Sequence, residues 1–396
     1  NDLNKFKYIE KNICDLADIY DFKEIVTPIF ENSELFKKPL GEHSDVVLKE
    51  MYTFKDRNNS LLTLRPEYTT PMIRSAISNN FLDKTPVKIF GYGPMFRRER
   101  PQKGRYRQFY QINFEILGAD DSFSDAELII LANQFLKNIS IKKKCKLFIN
   151  SLGDKETIKK FKDKLIIYFE NYKKDLSKDS KDKIFTNPLR ILDSKDEKDI
   201  KIIEDSPKIE QFYSLNAKKK FEEIQSFLTE SKVDFIIDKN LVRGLDYYCH
   251  TVFEFKTKEL GSQNTLIGGG RYDGLIKTLG GKDMPGVGWA GGIERIMLLM
   301  KDIPSEDRNI HIAILDSSFK IHAIKVFDFL IKNNFSVYWN YKYNLKKSLT
   351  FANEKKINYL IIVGENEKVN NNFSLKNLSN GKQVIVNIDN ILDHLK

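Results

Sequence analysis

The sequence predicts an α+β protein made of a hairpin-bearing sheet domain, a helical insertion and a small C-terminal α/β domain. Three observations carry this. Residues 90 to 118 read as two strands joined by a loop holding Lys103 and Gly104, with positive charge packed around the turn. From Asp154 to Glu230 lysine and acidic residues alternate at helical apolar spacing with few glycines, which suits helices rather than a continuing sheet. After Asp302 and Pro304, strand and helix patterns alternate to the end of the chain.

Taken in order, residues 1 to about 20 predict an amphipathic helix, and Glu24–Phe30 a strand. Pro28 assigns that strand to an edge or interface, because proline cannot donate to a central ladder. Met51–Phe54 and Leu61–Leu64 flank Asp56-Arg57-Asn58-Asn59 as a hairpin. On the second long strand, side chains alternate between faces. Tyr110, Ile112, Phe114 and Ile116 make an ordinary core face. Phe109, Gln111, Asn113 and Glu115 make the other, placing a carboxylate and two amides mid-strand, where an unpaired polar group is costly. Arg97 sits on the partner strand at the mouth of that surface, which suits an anionic nucleotide plus a small zwitterion. Ser124-Asp125-Ala126-Glu127 reads as a capping-box start. The helix behind it turns Leu128, Leu131, Ala132, Phe135, Leu136 and Ile139 to the core. In the C-terminal part the pattern gives strand Ile310–Leu315, helix Ile321–Lys332, strand Ser336–Trp339, helix Leu345–Lys355, strand Tyr359–Val363, strand Gln383–Ile388 and a last helix.

The 396 residues suffice for two or three domains with full cores. No apolar run approaches the roughly 18 to 20 residues needed to span a bilayer, so no membrane role is expected. The net charge of +10 is spread along the chain and fits either a lysine-rich proteome or contact with a polyanion. Cys14, Cys145 and Cys249 have no CxxC spacing, which points to a reducing compartment and away from a zinc site. The opening residues lack an initiator Met and the layout of a signal peptide. The true start is therefore expected upstream, with the targeting of the intact chain left open.

No GxxxxGK[ST], HExxH or CxxC motif occurs, and no built-in metal is expected. Gly286-Val287-Gly288-Trp289-Ala290-Gly291 matches GxGxxG but follows a loop, which disfavours a dinucleotide fold. It reads instead as a glycine-rich strand against which a ligand lies, with Glu294 and Arg295 opening the next helix. Gly268–Gly274 and Leu241–Tyr248 each stand between a plain turn and a close backbone approach to a ligand. His43, His250, His311, His322 and His394 show no pairing for acid–base work. Chemistry at such a site runs on positioning and charge neutralisation, the pattern for reactions at phosphorus.

With these segments in view, the chain resembles the histidyl-tRNA synthetases of class II. Glu24–Glu31 resembles motif 1 and Leu64-Arg65-Pro66-Glu67-Tyr68-Thr69 the family's substrate loop. Phe96–Glu115 resembles motif 2, and Gly286–Arg295 motif 3. Leu241–Tyr248 and Gly268–Leu275 resemble the two histidine-specific signatures. The resemblance implies an antiparallel sheet flanked by helices at 1–153 and 231–304, a helical insertion at 154–230 and an anticodon-binding domain at 305–396.

It also implies activation of L-histidine by ATP with Mg²⁺, transfer to tRNA, a homodimer and a cytoplasmic setting. Arg97, Arg243 and Gln111 would be catalytic. Arg97, Glu99, Phe109 and Arg295 would bind ATP. Glu67, Tyr68, Thr69, Arg97, Gln111, Glu115, Arg243, Tyr247, Tyr248 and Tyr272 would surround histidine, with Arg97 on its carboxylate and Glu115 and Tyr248 on its imidazole. Arg100, Gln102, Lys103 and Arg105 would meet the tRNA acceptor end. Tyr68 and Asp21 stand where the family commonly has small residues. The main alternative is a non-catalytic paralogue that binds histidine or tRNA for regulation; a class II synthetase for another amino acid is disfavoured by both signatures.

Overall fold

The computed structural model describes residues 2–41, 44, 46–102, 104–243, 245, 247–261, 264–301, 303 and 309–395. Asn1, His43, Lys103, Gly244, Asp246, Asp302 and the boundary at 304 and 305 lie outside the described residues. The chain forms two units, Asn1–Lys301 and Asp302–Lys396.

In the first unit α1 (Asp2–Ile19) buries Ile9, Ile13 and Leu16 at helical spacing. Asp21 ends it at φ 58°, a left-handed turn that explains why a small residue is common there. The expected strand Glu24–Phe30 splits in two. β1 (Lys23–Glu24) pairs with the start of a later strand, and β2 (Phe30–Asn32) joins another sheet. Between them Pro28 has no N–H to offer a ladder, and the Arg65 guanidinium holds the segment instead. Its Nη1 donates to Thr27 O (2.9 Å), Thr27 Oγ1 (3.0 Å) and Pro28 O (3.4 Å). Then come α2 (Glu34–Leu40), the hairpin β3 (Tyr52–Lys55) and β4 (Leu61–Leu64), and α3 (Thr69–Ser78). β4 lies between β2 and β3 in a three-stranded sheet.

The long hairpin is β5 (Val87–Phe96) and β6 (Gln108–Leu117), in antiparallel register from Val87↔Leu117 to Phe96↔Gln108. Helix α4 (Ser122–Asn138) begins earlier than the Ser124 capping box. The Asp121 side chain accepts from Phe123 N at 2.7 Å and caps it, leaving Asp125 free to pair with Arg271. After β7 (Cys145–Ser151) follow α5 (Lys155–Asn171), α6 (Lys178–Lys183), α7 (Glu197–Glu204) and α8 (Leu215–Glu230). The unit closes with β8 (Phe235–Ile237), β9 (Cys249–Thr257), β10 (Thr265–Arg271), α9 (Leu275–Thr278), β11 (Gly286–Gly292) and α10 (Ile293–Leu299). Among the described residues the large sheet runs β1-β5-β6-β11-β10-β9-β7-β8, antiparallel except at its two edge pairs.

One face of this sheet is core. Ile112, Phe114 and Trp289 pack with Ile9, Leu131, Phe135, Ile224 and Ile293 from α1, α4, α8 and α10. Each such side chain contributes about 1.5–3 kcal/mol when fully buried. The opposite face carries Phe109, Gln111, Asn113 and Glu115. α5 and its neighbouring turns share a second core with Leu241, Val242 and Val252.

The second unit is a five-stranded sheet of order β13-β12-β14-β15-β16. It comprises β12 (Asn309–Ile314), α11 (Lys320–Lys332), β13 (Ser336–Tyr338), α12 (Leu345–Glu354), β14 (Tyr359–Val363), α13 (Glu365–Val369), β15 (Phe373–Asn377) and β16 (Gln383–Val386). The sequence pattern missed α13 and β15. The expected last helix is a single 3-10 turn, Ile391–His394. Among the described residues, no helix is long and apolar enough to cross a membrane.

Candidate active site

A cavity of about 400 Å³ opens on the polar face of the large sheet. Arg97 ends the β5 side of the hairpin, Arg243 precedes β9, and Arg295 sits in the first turn of α10. All three line this one cavity with Glu67, Thr69, Glu99, Arg105, Phe109, Gln111, Tyr247 and Tyr248.

Each arginine is held in place. Arg97 Nε donates to Pro66 O (2.8 Å), with its guanidinium 5.4 Å from the Phe109 ring centre. Arg295 donates from Nε to Gly104 O (3.2 Å) and from Nη1 to Thr265 O (3.0 Å). Burial, then the nearby Arg105, push its pKa below the ordinary arginine value, with Arg97 adding to the effect. Arg243 pairs with Glu254 and lies 5.5 Å from the Tyr248 ring centre. Burial works against its charge, and Glu254 and Tyr248 more than offset this. Glycine makes these positions possible: a Cβ on Gly268 would collide with the Arg243 guanidinium, and one on Gly288 with the Glu115 carboxylate.

Glu67 spreads its carboxylate over the first turn of α3. Oε2 accepts from Thr69 N (2.8 Å) and Oε1 from Thr70 N (2.9 Å), a favourable place for negative charge. Burial still raises its pKa. Glu115 lies one layer deeper and is fully buried. Its Oε1 accepts from Thr69 Oγ1 (2.8 Å) and Asn113 Nδ2 (3.0 Å), and its Oε2 from Tyr272 OH (2.5 Å). An ionised carboxylate has about four acceptor positions, so one more donor can be taken. Burial first, and Glu67 nearby, push its pKa up to about 7. Tyr247, Tyr248 and Tyr272 cluster with ring centres 4.6 to 6.5 Å apart.

Several expectations need correcting. Tyr68 does not face the cavity: its ring packs under Arg65 and its OH donates to Ile25 O (3.2 Å). A small residue is thus unnecessary at this position, because the ring is taken by the core. Tyr272 and Glu115 are behind the lining rather than in it. Arg105, expected to reach outward, pairs with Glu99 inside the cavity. Arg100 and Gln102 are exposed. Arg271 of the glycine-rich segment ties β10 to α4 through Asp125 and Ser124 Oγ (2.8 Å) and serves the fold.

The sequence reading missed Arg190, Glu254, Thr265 and the cavity position of Glu294. Glu254 had a usable signal: like Glu115, it is a carboxylate mid-strand between two buried apolar residues, here Phe253 and Phe255.

A histidyl-tRNA synthetase family model matches residues 1–154 and 178–296, and an anticodon-binding-domain model matches 309–396. The chain belongs to the histidyl-tRNA synthetase family. It is 45% identical over 391 residues to the histidine–tRNA ligase of Wolbachia pipientis wMel, covering 99% of this chain and 95% of that one. It is 43% identical over 392 residues to the histidine–tRNA ligase of Ehrlichia canis strain Jake, covering 99% and 94%. Among solved structures, the apo histidyl-tRNA synthetase of S. aureus superposes with a TM-score of 0.74 at 30% identity, covering 99% and 95%. The fold is that of a class II synthetase with a separate C-terminal sheet domain, as the motifs led us to expect.

Proposed function

We propose that the chain activates L-histidine with ATP, forming histidyl-adenylate and pyrophosphate, and then transfers histidine to the 3′ end of its tRNA. One observation carries this reading: guanidinium groups from three distant segments line a single cavity whose inner wall is Glu67, Thr69 and Gln111 backed by Glu115. Glu67, Thr69 and Gln111 hold the α-ammonium, and Tyr248 takes the imidazole, with the Glu115 carboxylate one layer behind to orient the ring. Arg97 and Arg243 hold the histidine carboxylate against the α-phosphorus. In-line attack by the carboxylate oxygen forms the new P–O bond as the bond to pyrophosphate breaks, with no proton transfer required of the protein. Phe109 and Arg295 sandwich the adenine, and Glu99 completes the nucleotide side.

Glu99 and Glu254 are already engaged by arginines, which fits Mg²⁺ arriving on the nucleotide phosphates rather than in a cage of its own. It would neutralise phosphate charge beside those two carboxylates.

The tRNA reading is supported by Arg100 and Arg107, exposed on the loop after β5, and by the C-terminal unit. There Trp339, Tyr341 and Tyr343 lie with ring centres 4.6 and 5.9 Å from the tryptophan, beside Lys342, Lys346 and Lys347. Aromatic rings among lysines suit unstacked anticodon bases. A homodimer is supported by the outer face of the three-stranded sheet. Its register aligns Phe30, Tyr52 and Leu64, and beside them Phe54 and Leu62, with Phe30 and Phe54 exposed. The free thiols Cys14, Cys145 and Cys249 fit the cytoplasm. The full-length relatives and the retained arginines disfavour the non-catalytic alternative.

The test is amino-acid-dependent ATP–pyrophosphate exchange across all twenty amino acids. Exchange with histidine alone is expected; histidine binding without exchange would favour the regulatory paralogue.

A further inference from the structure

Arg190 comes from the lysine-rich helical stretch, not from any segment that resembles a class II motif, yet it lines the active-site cavity. It lies on the 3-10 turn Pro188–Asp193, whose Pro188, Ile191 and Leu192 are buried. Ile191 and Leu192 share a core with Phe161, Leu165 and Val252, which fixes the turn against β9. The other cavity arginines are held by the protein: Arg105 by Glu99, Arg243 by Glu254, Arg97 by the Pro66 carbonyl and Arg295 by two carbonyls. Among the described residues the Arg190 side chain has no hydrogen bond and no ion pair within 4.0 Å. A half-buried guanidinium that lines a cavity and makes no hydrogen bond or close ion pair there is available to a ligand anion.

Its place along the cavity narrows the ligand. Tyr248, Arg243, Glu254, Thr265 and Arg295 form a connected line across the sheet. Arg243 lies by Tyr248 and pairs with Glu254, Glu254 accepts from Thr265 Oγ1 (3.1 Å), and the Thr265 carbonyl accepts from Arg295. Tyr248 marks the amino-acid end and Arg295 the nucleotide end. Arg190 joins the line near Arg243 and Glu254, since the buried Ile191 and Leu192 beside it share a core with Val242 and Val252, close to those two residues in the chain. Arg243 holds the carboxylate against the α-phosphorus, so the anions within reach of a guanidinium beside it are the phosphates that follow the α-phosphate.

We infer that Arg190 binds the β- and γ-phosphates of ATP and the departing pyrophosphate, so that the helical stretch supplies part of the polyphosphate site. The inference rests on the activation reaction proposed above. It makes the position of the 188–193 turn a determinant of nucleotide affinity.

The experiment compares the full-length chain with Arg190→Ala and Arg190→Lys in histidine-dependent ATP–pyrophosphate exchange, with histidine binding by calorimetry and thermal unfolding alongside. Arg190→Ala is expected to raise the KM for pyrophosphate and for ATP about tenfold. Histidine affinity should stay within about twofold and the unfolding temperature should hold, with Arg190→Lys recovering part of the loss. Exchange constants in Arg190→Ala equal to those of the unaltered chain would overturn the inference. So would normal exchange with slowed transfer to tRNA, which would make Arg190 a tRNA contact. Absence of histidine-dependent exchange in the unaltered chain would instead strike the activation reading itself.

Discussion

In the unit Asn1–Lys301 part of the polar site lies inside strands: Gln111, Asn113 and Glu115 on β6 and Glu254 on β9, each with a glycine opposite it on a neighbouring strand. In Asp302–Lys396 the strands carry an ordinary apolar core of Ile310, Ile312, Ile361, Val363 and Phe373. The candidate RNA-binding rings there lie in the loop between β13 and α12. The first unit therefore spends fold stability on a buried site, whereas the second displays its site on a finished scaffold. Substitutions at these strand positions of the first site should disturb binding and stability together, and those at the second site should disturb function alone.

The largest effect that sharpens this contrast is Arg243→Ala. It should slow exchange by about a thousandfold, ~4 kcal/mol of barrier, while histidine binding weakens much less. Equal loss of both would contradict a role specific to the transition state. Next, Glu115→Gln should raise the KM for histidine by about a hundredfold, with the KM for ATP nearly unchanged.

A third test uses pH. With its pKa raised to about 7 from the ordinary 4.5, Glu115 lets the fold hold a proton that the unfolded chain releases between those values. Stability of the first unit should therefore fall as pH rises from 4.5 to 7, by on the order of 2 kcal/mol. His311 behaves oppositely. It is fully buried and packs on Phe351, and burial pushes its pKa down to about 4 from 6.5. The unfolded chain takes up that proton first, so the second unit should gain a similar amount as pH rises from 4 to 6.5. The two tryptophans separate the units: with Trp339→Phe the fluorescence reports Trp289, and with Trp289→Phe it reports Trp339. Slopes of the same sign in both would break the comparison, and Glu115→Gln and His311→Phe should each flatten one of them. The smallest effect is Trp339→Ala. It should lower kcat/KM for tRNA by about tenfold, as expected for one stacked base, and leave exchange untouched.

Legibility in the sequence followed the same division. The site face of β6 could be read because amides and a carboxylate mid-strand violate the pattern of a buried sheet. Glu254 breaks the same rule, but it stands in a stretch that the sequence reading left without a strand. Arg243 was assigned through resemblance, since a lone arginine beside glycine has no periodic signature. Tyr68 was misplaced because its neighbours Glu67 and Thr69 do reach the cavity, and nothing in one dimension says that the ring between them turns under Arg65. Arg190 was hidden in a stretch where charge normally means a wet helix surface. In the second unit α13 and β15 were missed because Glu365–Val369 and Phe373–Asn377 are too short for either period to register.

The meeting of Gly288 with the Glu115 carboxylate limits how this lineage can drift. Any methyl at 288 would occupy the space of an acceptor oxygen, so even the mildest exchange there costs the carboxylate its seat. A descendant could tolerate a larger residue at 288 only by also shortening residue 115, and two coordinated changes are far rarer than one.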